Sequence, residues 1–366
     1  MKIAGNKSMN ATMLINDLLT KAVALGASDI HLEPHAESFK VRFRIDGLLQ
    51  DVSIHEKPLH APSVSRIKIM ASLDIAESRL PQDGKIRAKI GGREFDLRIS
   101  TIPTIHGEKA VVRILDRKMT MLNIEGLGMA ADQQGTYDRI INKGSGIIIV
   151  TGPTGCGKTT TLYATLNRIN SADVNIITIE DPVEYELPGI NQMNVNIKAN
   201  LTFARGLRSI LRQDPDIIMI GEIRDPETAR IAVQAAMTGH LVLSTMHTTD
   251  AAGAVGRLLD LGIEPSLINS SLLAVVAQRL ARLKCKKCAG GGCGDCNDAG
   301  FKGRTGLFEI LILSENIKEL VGKSSSSHLI RSEAIKAGMK TMNVSGEEKV
   351  RSGLTTTQEV SRARLD

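Results

Sequence analysis

The chain has 366 residues, of which 42% are hydrophobic and 23% charged. That is length for two domains or three and an ordinary globular balance, which excludes wholesale disorder, collagen and a coiled-coil rod. Lys and Arg total 46 against 40 Asp and Glu, a net charge of +6, while Trp is absent and only six Phe and three Tyr are present; so few aromatics make poor base-stacking platforms, and no nucleic-acid partner is expected.

The opening segment to Leu19 is interrupted by Lys2, Lys7, Asn and Ser, which leaves no signal-peptide core, and no stretch approaches the roughly 18–20 apolar residues of a membrane span. A cytoplasmic protein, free or peripheral to the inner face of the cytoplasmic membrane, is expected. Apolar residues at helical spacing (Met13, Leu14, Leu18, Leu19, Val23) predict a helix from Ala11 that stops at Gly26. Alternating segments at 40–45, 86–90, 94–99 and 110–115, separated by Asp-Gly, Gly-Gly and Pro, then predict antiparallel strands. Residues 1–117 read as an α+β domain and 118–124 as a linker.

From 125 to 366 the pattern changes. Nearly pure apolar runs at 147–150, 176–179, 217–220 and 241–243 alternate with helical stretches, as expected for an α/β domain whose parallel sheet is buried on both faces. After Ser314 the chain reads as polar helices interrupted by the serine run 324–327.

The run Gly152-Pro153-Thr154-Gly155-Cys156-Gly157-Lys158-Thr159-Thr160 fits G-x-x-x-x-G-K-[ST] between a buried strand and a helix. Glycines let backbone N–H groups approach phosphates, the helix N-terminus adds positive potential, Lys158 reaches β/γ oxygens and the Thr159 hydroxyl suits Mg²⁺. These nine residues are the expected ATP and Mg²⁺ site. Cys156 reads as a small spacer, with a thiol pKa lowered by Lys158 as the alternative.

Hydrolysis needs a carboxylate to orient water. The strand 217–220 delivers Glu222 to the C-terminal edge of the sheet, where open α/β sheets bind ligands, and the strand ending at Glu180 delivers a second acid. Glu222 is the first choice and Glu180 the second. His240 and His247 flank the strand beginning at Leu241, so both are candidates for sensing the γ-phosphate or positioning water. Four cysteines fall within twelve residues as two C-x-x-C pairs, Cys285/Cys288 and Cys293/Cys296, separated by Ala289 and three glycines. In a reducing compartment this suggests metal before disulfide, and structural Zn²⁺ before an iron–sulfur cluster or idle thiols.

Together these motifs resemble the secretion ATPases that power type II secretion and type IV pilus assembly. In the first domain the resemblance rests on Ser28-Asp-Ile-His-Leu-Glu-Pro34, Arg42-Phe-Arg-Ile-Asp-Gly47, Arg79-Leu-Pro-Gln-Asp-Gly84 and Arg98-Ile-Ser-Thr. In the second it rests on Ile179-Glu-Asp-Pro-Val-Glu184, Gly221-Glu-Ile-Arg-Asp225 and Thr238-Gly-His-Leu-Val-Leu-Ser-Thr-Met-His247. The resemblance implies a PAS-like domain followed by a RecA-like one, a homo-hexameric ring and an inner-membrane platform protein as partner. It further implies that Arg98, Arg113, Arg208, Arg212, Arg224 and Arg304 contact nucleotide. The cysteines point to the export or assembly class, although the gap between their pairs is shorter than is usual in the family. Only about 25 residues precede Ser28, so the extra N-terminal recruitment domain of many export members is not expected in this chain. A RecA-like nucleic-acid translocase and a retraction-type pilus ATPase are the alternatives.

Overall fold

The computed structural model describes residues 10–116, 123–323 and 326–365. Most of the expected linker (118–122), the extreme N-terminus and Ser324 and Ser325 lie outside the described residues. Two compact units are present, one formed by the described residues of Met1–Thr120 with Cys285–Lys302, the other by Met121–Lys284 with Gly303–Asp366.

In the first unit, helix α1 (Ala11–Ala24) starts where the Asn10 side chain accepts the N–H of Met13, and it buries Leu14, Ile15, Leu18 and Leu19. The chain leaves it through Gly26 in a left-handed conformation, as the sequence predicts. Strands β1 (Ala27–Pro34), β2 (Ser38–Ile45), β3 (Leu48–Glu56), β4 (Gln82–Ile90), β5 (Arg93–Thr104) and β6 (Gly107–Asp116), with helix α2 (His60–Met70) after β3, form an antiparallel sheet in the order β3-β2-β1-β6-β5-β4. Alternation divides its faces. Phe39, Val41, Phe43, Leu97, Ile99 and Val112 pack with α1 and α2 in the core, whereas Arg44, Arg98 and Arg113 stand on the other face.

After a 3-10 turn at Ile124–Leu127, the second unit runs through α3 (Ala131–Ile141) and β7 (Gly146–Thr151). It continues through α4 (Lys158–Ile169), β8 (Ile176–Glu180), β9 (Asn191–Asn194), α5 (Phe203–Ile210), β10 (Ile217–Ile220), α6 (Pro226–Met237) and β11 (Leu241–Met246). After these come α7 (Ala251–Asp260), α8 (Pro265–Ser271), β12 (Leu272–Lys284), β13 (Phe301–Ile312) and the helices α9 (Glu315–Gly322), α10 (Ser327–Lys336), α11 (Met342–Arg351) and α12 (Thr357–Leu365). The sheet order is β13-β12-β7-β11-β10-β8-β9, with every pair from β12 to β9 parallel. β7, β8, β10 and β11 are buried throughout their lengths. Helices cover both faces, so apolar residues pay no solvation penalty at either, and the expected parallel α/β sheet is present. Among the described residues no helix is long and apolar enough to cross a membrane.

Candidate active site

The loop 152–157 leaves β7 at the centre of the sheet and runs into α4. Gly157 turns the chain at φ +90, a conformation that costs glycine little, so that Lys158 begins the helix. Lys158 is 9% exposed, and its ammonium donates to the carbonyls of Gly152 (2.8 Å) and Pro153 (3.0 Å). Burial lowers its pKa, against which Glu222 pulls upward. The same burial pushes the Cys156 thiol up despite Lys158, which favours the reading of Cys156 as a packed spacer.

Glu222 follows β10 in a turn that ends when Asp225 caps α6, accepting the Thr228 N–H at 2.9 Å with Pro226 next in line. Its side chain is 14% exposed; its carboxylate lies 2.5 Å from Arg224 Nε and 3.6 Å from Nε2 of His247, just past β11. Burial and Lys158 both lower the His247 pKa, favouring the neutral imidazole. Lys158, Glu222, Arg224 and His247 are therefore brought together at the C-terminal rim of the sheet.

Other expected residues lie elsewhere. Glu180 is 2% exposed; one oxygen accepts from the Thr178 hydroxyl (2.6 Å) and Gln192 (3.2 Å), the other from the Tyr163 hydroxyl, and burial raises its pKa. His240 sits at the opposite end of β11, about 23 Å along the strand from His247 at roughly 3.3 Å per residue. There it bonds the Ala235 carbonyl at 2.8 Å. The two histidines flank β11 as expected, and of the two only His247 lies beside Glu222 in this unit. Arg208 pairs with Glu227 at 2.6 Å and Arg212 bonds back to the Arg208 carbonyl, both on the exposed side of α5 and the turn after it. Arg304 is exposed on β13.

On the first unit, Arg98 and Arg113 are direct cross-strand partners, with Lys85 opposite Arg98, Asp29 opposite Arg113 and Arg44 opposite Asp29. Like charges placed directly opposite destabilise a sheet. This row places four cations, Lys85, Arg98, Arg113 and Arg44, beside Asp29.

The four cysteines are free thiols, gathered by a turn that uses left-handed Ala289, Gly290 and Gly292. Their sulfurs lie within 4.8 Å of one another, with Cys285–Cys293, Cys288–Cys296 and Cys293–Cys296 each at 3.8 Å. A tetrahedral centre with metal–sulfur bonds of about 2.3 Å requires sulfur separations of about 3.8 Å. The cluster fits such a metal.

Sequence reasoning missed Gln278 and Arg279 on β12. Gln278 accepts the Thr161 hydroxyl at 2.6 Å, and a side chain at Gly152 would strike both residues. The signal in the sequence is a Gln-Arg pair interrupting an otherwise apolar run.

A glycine-rich loop joining a central parallel strand to a lysine-headed helix, with an acid at the next strand ends, defines a P-loop ATPase of RecA-like fold. The model of the family described as "Type II/IV secretion system protein" matches residues 5–362. The chain is 53% identical to the type II secretion system protein HxcR of Pseudomonas aeruginosa, over 96% of this chain and 77% of that one. It is 48% identical to the type IV pilus assembly ATPase PilB of Myxococcus xanthus, over 95% and 66%. A solved structure of the pilus retraction motor PilT with bound ADP superposes with a TM-score of 0.67 at 28% identity, covering 96% of this chain and 97% of that one. The chain belongs to the type II/IV secretion system protein family.

Proposed function

We propose that the chain is a Mg²⁺-dependent ATP-hydrolysing motor that drives type II secretion or type IV pilus assembly. It would act as a homo-hexameric ring on the cytoplasmic face of the membrane, through an inner-membrane platform protein. The observation that carries this reading is the convergence of Lys158, Glu222 and His247 beside the phosphate loop, in a chain so similar to HxcR and PilB.

In this mechanism the backbone N–H groups of 155–159 and Lys158 would hold the phosphates, and the Thr159 hydroxyl would help to hold Mg²⁺, which would supply neutralisation of phosphate charge. Glu222 orients water, and neutral His247 steadies that carboxylate and senses the γ-phosphate. Glu180, with both oxygens engaged, supports the rim as a positioning residue. Arg224 beside Glu222, and Arg98, Arg113, Arg208, Arg212 and Arg304 from surfaces that ring assembly would bring to a nucleotide, neutralise developing charge. The four thiolates hold a structural Zn²⁺, and that cluster favours assembly over retraction.

Steady-state hydrolysis by the purified chain, with nucleotide binding read by an extrinsic fluorophore because Trp is absent, tests the reading. Mg²⁺-dependent turnover that rises with protein concentration as rings form is expected, and Lys158→Ala should lose nucleotide binding. A chain that binds ATP and never turns it over is a nucleotide-gated scaffold instead, and turnover stimulated by DNA would favour a translocase. Metal analysis after preparation under reducing conditions should find about one zinc per chain; zinc-free folded protein would refute the cluster's assignment.

A further inference from the structure

Arg279 is an anomaly. It is 7% exposed on β12, yet none of the carboxylates among the described residues forms an ion pair with it; Asp250 and Glu309 act on it only at longer range. Its Nε is buried without a hydrogen-bond partner. Burying a cation without a direct counter-ion costs several kcal/mol, and an apolar side chain of similar volume would fill such a space at lower cost. The guanidinium therefore needs a reason to be there.

Its two terminal nitrogens supply one. Nη1 donates to the Gln278 carbonyl at 3.0 Å and Nη2 to the Thr249 carbonyl at 2.9 Å. A side chain at Gly152 would come within 3.1 Å of Nη1 and 2.5 Å of the Gln278 oxygen, so this fork lies directly against the first residue of the phosphate loop. Thr249 belongs to the turn that follows β11 and carries His247. The turn is tied to the end of β7 as well, since the Thr248 N–H and hydroxyl both meet the Thr151 hydroxyl, at 2.9 and 2.8 Å. Behind Arg279, Glu309 is fully buried, accepting the Ala251 N–H at 3.1 Å and Arg331 at 3.4 Å, and Arg331 reaches Asp250 at 3.6 Å. This second layer fixes the start of α7 immediately after the turn.

We propose that Arg279 is a positioning residue for hydrolysis: its fork ties the His247–Thr249 turn to β12, packed against the phosphate loop, and so keeps His247 beside Glu222. A lysine keeps the charge and cannot bridge two carbonyls in one plane. Loss of the fork should misplace the turn, and displacement of about 1 Å at a catalytic group can cost about 100-fold in rate.

The inference rests on the ATPase reading, so the wild-type chain is assayed first. Turnover and nucleotide dissociation constants are then compared for Arg279→Lys, Arg279→Gln, His247→Ala and the double variant Arg279→Lys/His247→Ala. The expected result is a fall in kcat of about tenfold or more in Arg279→Lys with ATP affinity within about threefold, and a double variant no slower than the slower single one. Unchanged kcat, losses that multiply in the double variant, or lost affinity at unchanged kcat would each overturn it. If Arg279→Gln fails to fold, Arg279→Lys, which retains the charge, decides the question by itself. A wild-type chain without turnover removes the functional reading and this inference together, whereas an active wild type with indifferent variants removes only this one.

Discussion

Glu222 and Glu180 reach the same rim of one parallel sheet from strands that are neighbours in it, and in the sequence they look alike, each an acid closing an apolar run. Their surroundings differ. Glu222 keeps partial access to solvent and faces the cations Arg224 and Lys158 and the imidazole of His247. Glu180 is sealed among Tyr163, Thr178 and Gln192, and burial raises its pKa. A water-orienting acid must be able to reach water beside the phosphate loop, and Glu222, partly open to solvent and facing Arg224 and His247, can do so. The position of an acid on a strand end thus identifies the rim, while the packing around it decides the role.

The largest effect should come from exchanging the two acids' chemistry one at a time. Glu222→Gln should lower ATP turnover by at least about 100-fold while ATP binding persists, the scale of a lost catalytic base. Glu180→Gln, whose amide oxygen can still accept from Thr178 and Gln192 while its N–H₂ must donate to the Tyr163 oxygen in place of accepting from it, should lose less than about tenfold by the same comparison. Equal losses measured in parallel assays would erase the distinction between the two sites.

A third acid sharpens the contrast on the stability side. Glu359 of α12 is also buried, which by itself would raise its pKa, but hydrogen bonds from Arg282 and Arg362 prevail and hold it down at about 2. A depressed folded-state value means stability present above the ordinary carboxylate pKa and lost as pH falls through the folded one. Glu359→Gln should therefore cost about 3 kcal/mol at neutral pH, and wild type should lose that advantage between about pH 4.5 and pH 2. Urea denaturation across that interval measures it; a wild type and variant that differ equally at all pH values would contradict the ion-paired state.

Much of this is legible from local sequence. The phosphate loop needs only contiguous glycines, a lysine and a strand before them, and the metal cluster needs only two short cysteine pairs. The helical tail and the segments of β2, β4–β8, β10 and β11 follow from periodicity and apolar runs. β1 escapes that reading because Asp29, His31 and Glu33 leave only Ile30 and Leu32 to mark its alternation, and β12 because a long run rich in Ala, Val and Leu fits a strand or a helix equally well. The cross-strand row of Arg98 and Arg113 depends on register between distant segments. So does the sealing of Glu180, since Tyr163 comes from α4 and Gln192 from β9, neither of which the motif itself contains.

Tyr163→Phe tests that sealing by the smallest change. The phenol donates to Glu180 and packs edge-on against Tyr185 with ring centres 4.6 Å apart; removing its oxygen keeps the packing and deletes the bond to the buried acid, worth about 1–2 kcal/mol, together with the longer ones it accepts from the Glu184 N–H (3.3 Å) and Gln192 Nε2 (3.4 Å). The penalty should depend on pH with a definite sign. Because the folded pKa of Glu180 is raised, stability linked to this group is complete below the ordinary value of 4.5 and is lost as pH rises through the folded value. The Tyr163 bond favours the ionised carboxylate, so deleting it raises that pKa further and widens the loss at higher pH. Denaturation at about pH 5 and about pH 8 should then give a larger penalty at the higher pH. A penalty of the same size at both would mean that Tyr163 does not stabilise an ionised Glu180, and the contrast with Glu222 would rest on solvent access alone.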